Sequence, residues 1–130
     1  VAQFSQRFVR SVIRQTWNSA KEGAGTFREA LNAGQSGYWT QNSAGWTVQS
    51  SSGAGYSTTF HISGDTEGAT PRDFQELFER LLELYAIVAA GGTAEEDGNI
   101  DAMDSAFVAA MWALCPTIKG FTNNFMFLTP

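Results

Sequence analysis

Apolar positions in the first third of the chain recur at helical spacing. Val9, Ile13, Trp17, Ala20, Ala24, Phe27 and Leu31 follow one another at steps of three and four. At about a hundred degrees per residue they form one stripe, as an amphipathic helix requires. Phe4, Phe8 and Val12 add a second apolar strip. The pattern predicts helix over 1–34, with Gly23 and Gly25 breaking or kinking it. From Ser36 to Gly64 the period changes. Tyr56, Thr58, Phe60 and Ile62 alternate with Ser57, Thr59 and His61, and Trp46 and Val48 alternate in the same way. A period of two predicts strands with one buried face. The segment therefore reads as a β-hairpin of Gly45–Gln49 and Tyr56–Ser63, with Tyr38–Gln41 as a short third strand.

Two more helices follow. Thr70, Pro71 and Asp73 form a start signal: a capping hydroxyl, a proline at the first helical position and an acid at the third. Phe74, Leu77, Phe78, Leu81, Leu82, Tyr85 and Val88 then trace a broad apolar face, and Gly91-Gly92 ends it. Another helix begins near Asn99 or Asp101. It carries Met103, Phe107, Met111 and Leu114 on one face, is widened by Val108 and Trp112, and is stopped by Pro116. Phe74, Leu77, Phe78, Leu81, Tyr85, Phe107, Met111 and Leu114 are expected at the centre of one core. The tail, 117–130, is apolar and extended. The expected fold is a single α+β domain over 1–130. Its parts are a helical segment (1–34), a β-hairpin region (36–64), a helical pair (70–116) and the tail.

Composition narrows the class. A chain of 130 residues that is 43% hydrophobic and 16% charged buries a core without staples and is not disordered. The single cysteine, Cys115, has no partner for an internal disulfide and is expected to pack as a small hydrophobe. The N-terminal segment carries Arg7, Arg10 and Arg14 and does not read as a signal peptide. Leu84–Ala90, an uncharged apolar stretch, is too short to span a bilayer. No membrane partner is expected.

The net charge of −5 is unevenly distributed. Residues 1–35 carry +3 and the remainder −8. Arg7, Arg10, Arg14, Lys21 and Arg28 fall within about sixty degrees of arc on a continuous helix. Such a stripe either solvates the helix, with Glu22 and Glu29 pairing locally, or faces a charged partner such as nucleic acid or an acidic protein. The acidic stretch Thr93–Asp104 resembles an EF-hand calcium loop over its length. Glu95, Asp97, Asp101 and Asp104 stand near ligand positions, but Thr93 opens the loop and Asp104 closes it. The competing reading is an acidic surface loop. Tyr38, Trp39, Trp46 and Tyr56 lie among amides and hydroxyls, either as a sugar-binding platform or as hairpin faces packed on helices. No phosphate-cradling glycine motif, metal-ligand cluster or nucleophile–base pair is visible. The chain is therefore expected to be non-enzymatic, with no cofactor.

The segment Trp46-Thr-Val-Gln-Ser50, the turn Gly53-Ala-Gly55, the strand Tyr56-Ser-Thr-Thr-Phe-His-Ile62 and the helix opened by Thr70-Pro71 stand in a distinctive order. The pattern resembles the helix–β-hairpin–helix head-completion and head–tail joining proteins of tailed bacteriophages, of the phage lambda W type, over about Phe8 to Val88. This chain is longer than that family, adding a helix and a tail. The resemblance implies a virion structural protein that binds copies of itself or other structural proteins, as a homo-oligomer in an assembly. It implies location in the virion; a non-viral chain would be cytoplasmic. Phe121, Phe125 and Phe127 in the tail are candidate partner contacts. The tail either folds back beside the hairpin or reaches into a neighbouring subunit.

Overall fold

The computed structural model describes residues 4–24, 26–50, 59–64, 66–90 and 106–114. The fold is α+β: four α-helices and a three-stranded antiparallel sheet in the described residues. The order is α1 (Gln6–Ser19), a π-type turn (Ala20–Ala24), α2 (Phe27–Ser36), β1 (Tyr38–Asn42), β2 (Gly45–Gln49), β3 (Thr59–Ile62), α3 (Pro71–Ala90) and α4 (Ala106–Leu114).

The N-terminal helical segment is two helices. Ser5 caps α1, its hydroxyl accepting from the Phe8 amide at 3.0 Å. Gly23 sits at φ 119°, which ends the helical path. A side chain there would meet nothing within 4 Å, so it is the backbone angle, not space, that calls for glycine. Thr26 then opens α2 with a reciprocal capping box. Its hydroxyl accepts from the Glu29 amide, and the Glu29 carboxylate accepts from the Thr26 amide at 2.8 Å.

The three strands run as a meander, β1–β2–β3. Tyr38 pairs with Gln49 and Asn42 with Gly45, so a two-residue turn, Ser43-Ala44, joins β1 to β2. The Asn42 side-chain oxygen accepts from the Ala44 amide at 2.9 Å and Gly45 takes φ 137°, which lets the turn close. Trp39, Trp46, Val48, Phe60 and Ile62 face the core at alternate positions. The hairpin strands fall where the alternation placed them, and Tyr38–Gln41 lies in a true strand. Positions 56–58 of the expected second strand lie outside the described residues.

Helix α3 is the spine. The Asp73 carboxylate accepts from the amide and hydroxyl of Thr70 at 2.9 and 3.0 Å, and the Thr70 hydroxyl accepts from the Asp73 amide. Asp73 is only 3% exposed, so this cap satisfies a buried acid as well as the helix start. Phe74, Leu77, Phe78, Leu81, Tyr85, Phe107 and Met111 are buried as expected, and Leu114 partly so. Leu84 is buried too, outside the expected face, since α3 is covered on more than one flank, by α2 and α4.

The core has two aromatic groups strung along α3. Near its N-terminal end Phe74 meets Phe4, Trp39 and Trp46, and Phe78 meets Trp39 and Phe60. Toward its C-terminal end Tyr85 joins Phe27 and Phe107, which also contact Trp17. Helix α2 approaches α3 at Gly34, where an added Cβ would lie 2.2 Å from the Phe78 ring. Gly34→Ala gains up to about 1 kcal/mol in helix propensity but forces a fully buried ring aside. The expected net result is destabilisation of about 1–3 kcal/mol, the range for overpacking. Urea unfolding checks this; a stabilised variant would show that the α2–α3 approach is looser than it is here.

Candidate interaction surface

The inward face of α1 is fixed by Phe8, Val9, Val12, Ile13, Thr16 and Trp17, all buried. That leaves Arg7, Arg10 and Arg14 exposed along the opposite side. No acidic residue occurs in α1, so the three guanidinium groups form an uncompensated positive row within their own helix. Arg14 also lies over Trp112 of α4, its guanidinium carbon 5.2 Å from the ring centroid. A cation over an indole face is attracted by the ring quadrupole, so Arg14 ties α1 to α4 as well as carrying charge.

The five-residue basic stripe is corrected. Lys21 is exposed in the π-type turn, and Arg28 is exposed on α2 beyond the Gly23 break. The hundred-degree arithmetic therefore holds from Arg7 to Arg14 and does not carry through to Arg28. Glu29, weighed as a local partner for these bases, is engaged by the Thr26 cap.

Of the two readings of the Trp/Tyr group, packing of the hairpin face on the helices holds for both tryptophans. Trp39 is 6% exposed and Trp46 4%. Trp39 stacks on Phe74 at 4.5 Å, and its indole N–H donates to the Gly34 carbonyl at 2.7 Å. Trp46 lies 5.0 Å from the same ring. Their polar neighbours in sequence belong to the other face of the sheet, as strand alternation requires. Tyr38, at 69% exposed, is the aromatic of this group that reaches the surface among the described residues; Tyr56 lies outside them.

The outer sheet face is polar. Thr40, Asn42, Gln49, Thr59 and His61 are exposed. The Asn42 amide donates to the Thr47 hydroxyl oxygen at 2.9 Å, and that hydroxyl lies 2.8 Å from His61 Nδ1. Which of the two donates depends on the His61 tautomer. The face is lined with hydrogen-bonding groups.

A contact no motif announced locks the sheet to α1. Gln15 donates from Nε2 to the Ser63 carbonyl at 2.9 Å and accepts at Oε1 from the Ser63 amide at 2.9 Å. The side-chain amide thus acts as a short extra strand just past β3. Gln75 of α3 similarly donates to the Gly37 carbonyl at 3.1 Å, fixing the start of β1.

Among the described residues no three potential metal ligands cluster, and no helix is long and apolar enough to cross a membrane. The acidic stretch with Glu95, Asp97, Asp101 and Asp104, the thiol of Cys115, and the tail with Phe121, Phe125 and Phe127 lie outside the described residues. Comparison with protein-family models, with curated proteins and with solved structures finds no match.

Proposed function

We propose that this chain is a non-enzymatic assembly protein of a tailed-phage virion, a head-completion or head–tail joining part that acts through protein–protein contacts. The observation that supports this reading is the order and packing of its centre. Helices α1 and α2, a three-stranded antiparallel sheet and the capped α3 follow in sequence, and the β2–β3 hairpin lays Trp46, Val48, Phe60 and Ile62 inward with the α3 core. The helix, hairpin and capped helix that the resemblance implies lie within this order. The exposed chemistry agrees with a binding role: arginines on α1, and amides and hydroxyls on the outer sheet face. The sugar-platform reading loses its two indoles to the core.

The test is composition. Particles induced from the source cells and purified on a density gradient should contain this chain at a fixed ratio to the major head protein, by quantitative mass spectrometry. Its absence from intact particles, while present in the lysate, would sink the proposal.

A further inference from the structure

Sheets normally guard their outer strands with charge, proline or a bulge, since a free edge recruits other chains. The two edges of this sheet differ. Beside β3 lies α1, and Gln15 occupies the main-chain groups of Ser63 just past the strand end. The outer side of β1 has no such cover among the described residues. Tyr38, Trp39, Thr40, Gln41 and Asn42 include no charge and no proline, and the pairing with β2 is regular, without a bulge.

The register says which groups are free. Asn42 and Gly45 close a two-residue turn, so they form a hydrogen-bonded pair. Thr40–Thr47 and Tyr38–Gln49 are then bonded pairs too, by alternation. Trp39 and Gln41 therefore turn their N–H and C=O groups away from β2. Neither residue's main chain meets another partner among the described residues.

We infer that β1 is the docking edge for β1 of a second copy of this chain, paired antiparallel about a two-fold axis at Thr40. This rests on the assembly reading, whose partner it names. The edge is self-complementary under that operation. Trp39 of one copy faces Gln41 of the other, both with outward groups, so each exchanges paired main-chain hydrogen bonds across the axis. Thr40 meets its own counterpart as the closely spaced pair, and threonine pairs are favourable across strands. Exposed Tyr38 falls beside Asn42 of the other copy on the outer face, gaining cover for its ring. An uncharged strand suits a second copy of itself, whereas a polyanion or an acidic peptide would find no cation along it. The result is a continuous sheet through both subunits, an isologous contact.

The experiment uses the full chain. Sedimentation equilibrium should show the mass rising from 14.1 kDa toward twice that value as concentration climbs into the millimolar range. Hydrogen exchange of the Trp39 and Gln41 amides should slow at least tenfold over the same range. Thr40→Lys sets two ammonium groups against each other at the axis and should abolish the dimer with the circular dichroism unchanged. Gln41→Pro removes an outward donor and should weaken it as well. Gln49→Lys, exposed on the same face but on the inner strand, should dimerise like the parent. A parent that stays monomeric at millimolar concentration overturns the inference. So does a Thr40→Lys variant that dimerises normally, or a dimer that appears only after residues 117–130 are removed. A monomer found in purified particles defeats the edge contact and leaves the assembly reading standing. A dimer absent from particles does the reverse.

Discussion

Replacing Phe74 by Ala is expected to cost about 3–5 kcal/mol, the range for deleting a large aromatic from a packed interior. Phe74 is fully buried. Its ring lies 4.5 Å from Trp39, 5.0 Å from Trp46 and 5.5 Å from Phe4, so one side chain fills the junction of α3, two strands and the residues leading into α1. Three aromatic neighbours cannot all collapse into the space left, and the cavity term is expected in full. Domains of this kind have total stabilities of about 5–15 kcal/mol, so the loss is a large fraction of the whole. Urea unfolding with an unchanged slope measures it. A loss below about 1 kcal/mol would mean that this junction is not where the sheet is held to the helices.

The second large effect belongs to the other aromatic group, and there the contrast between two variants carries the information. Trp17 is buried, 5.0 Å from Phe27 and 6.3 Å from Phe107, and joins α1 to α2 and α4. Its indole N–H is buried without a hydrogen-bond partner among the described residues. Trp17→Ala is expected to cost about 3–5 kcal/mol. Trp17→Phe gives up volume but also removes an unsatisfied donor, whose burial costs about 1–3 kcal/mol. The two terms oppose, so Trp17→Phe should cost less than about 2 kcal/mol. Equal losses for the two variants would show that the N–H finds a partner in solution.

Local signals were legible in the sequence, and relations between distant elements were not. The Thr70-Pro71-Asp73 start is written in adjacent residues, and α3 begins where they place it. The inward positions of the sheet follow from alternation in the same way. Gly23 and Gly25 mark a break in the sequence, whereas the alignment of the five bases assumes a helix that runs on. A positive φ at Gly23 turns the chain, and angular bookkeeping does not survive it. The polar neighbours of Trp39 and Trp46 leave both a surface platform and a packed hairpin face open, and only the packing in three dimensions decides between them. In a strand a residue's neighbours in sequence lie on the opposite face. The Gln15–Ser63 clasp spans 48 positions and involves residues common in any surface. Nothing local distinguishes them. That β1 is an outer strand depends on topology, since the residues of Tyr38–Asn42 would suit an inner position equally well.

The placement of the tryptophans gives α3 a further meaning. Trp39 and Trp46 belong to the aromatic group around Phe74, while Trp17 belongs to the group around Phe107. Phe74 and Tyr85 are about 16 Å apart along one uninterrupted helix. A helix gains little from forming by halves, because its stability comes from the faces it buries. The two groups are therefore expected to come apart together, in one cooperative transition from sheet to α4. Fluorescence from the tryptophans of either group should then report the same transition, and a ligand that tightens one end should protect the other without touching it.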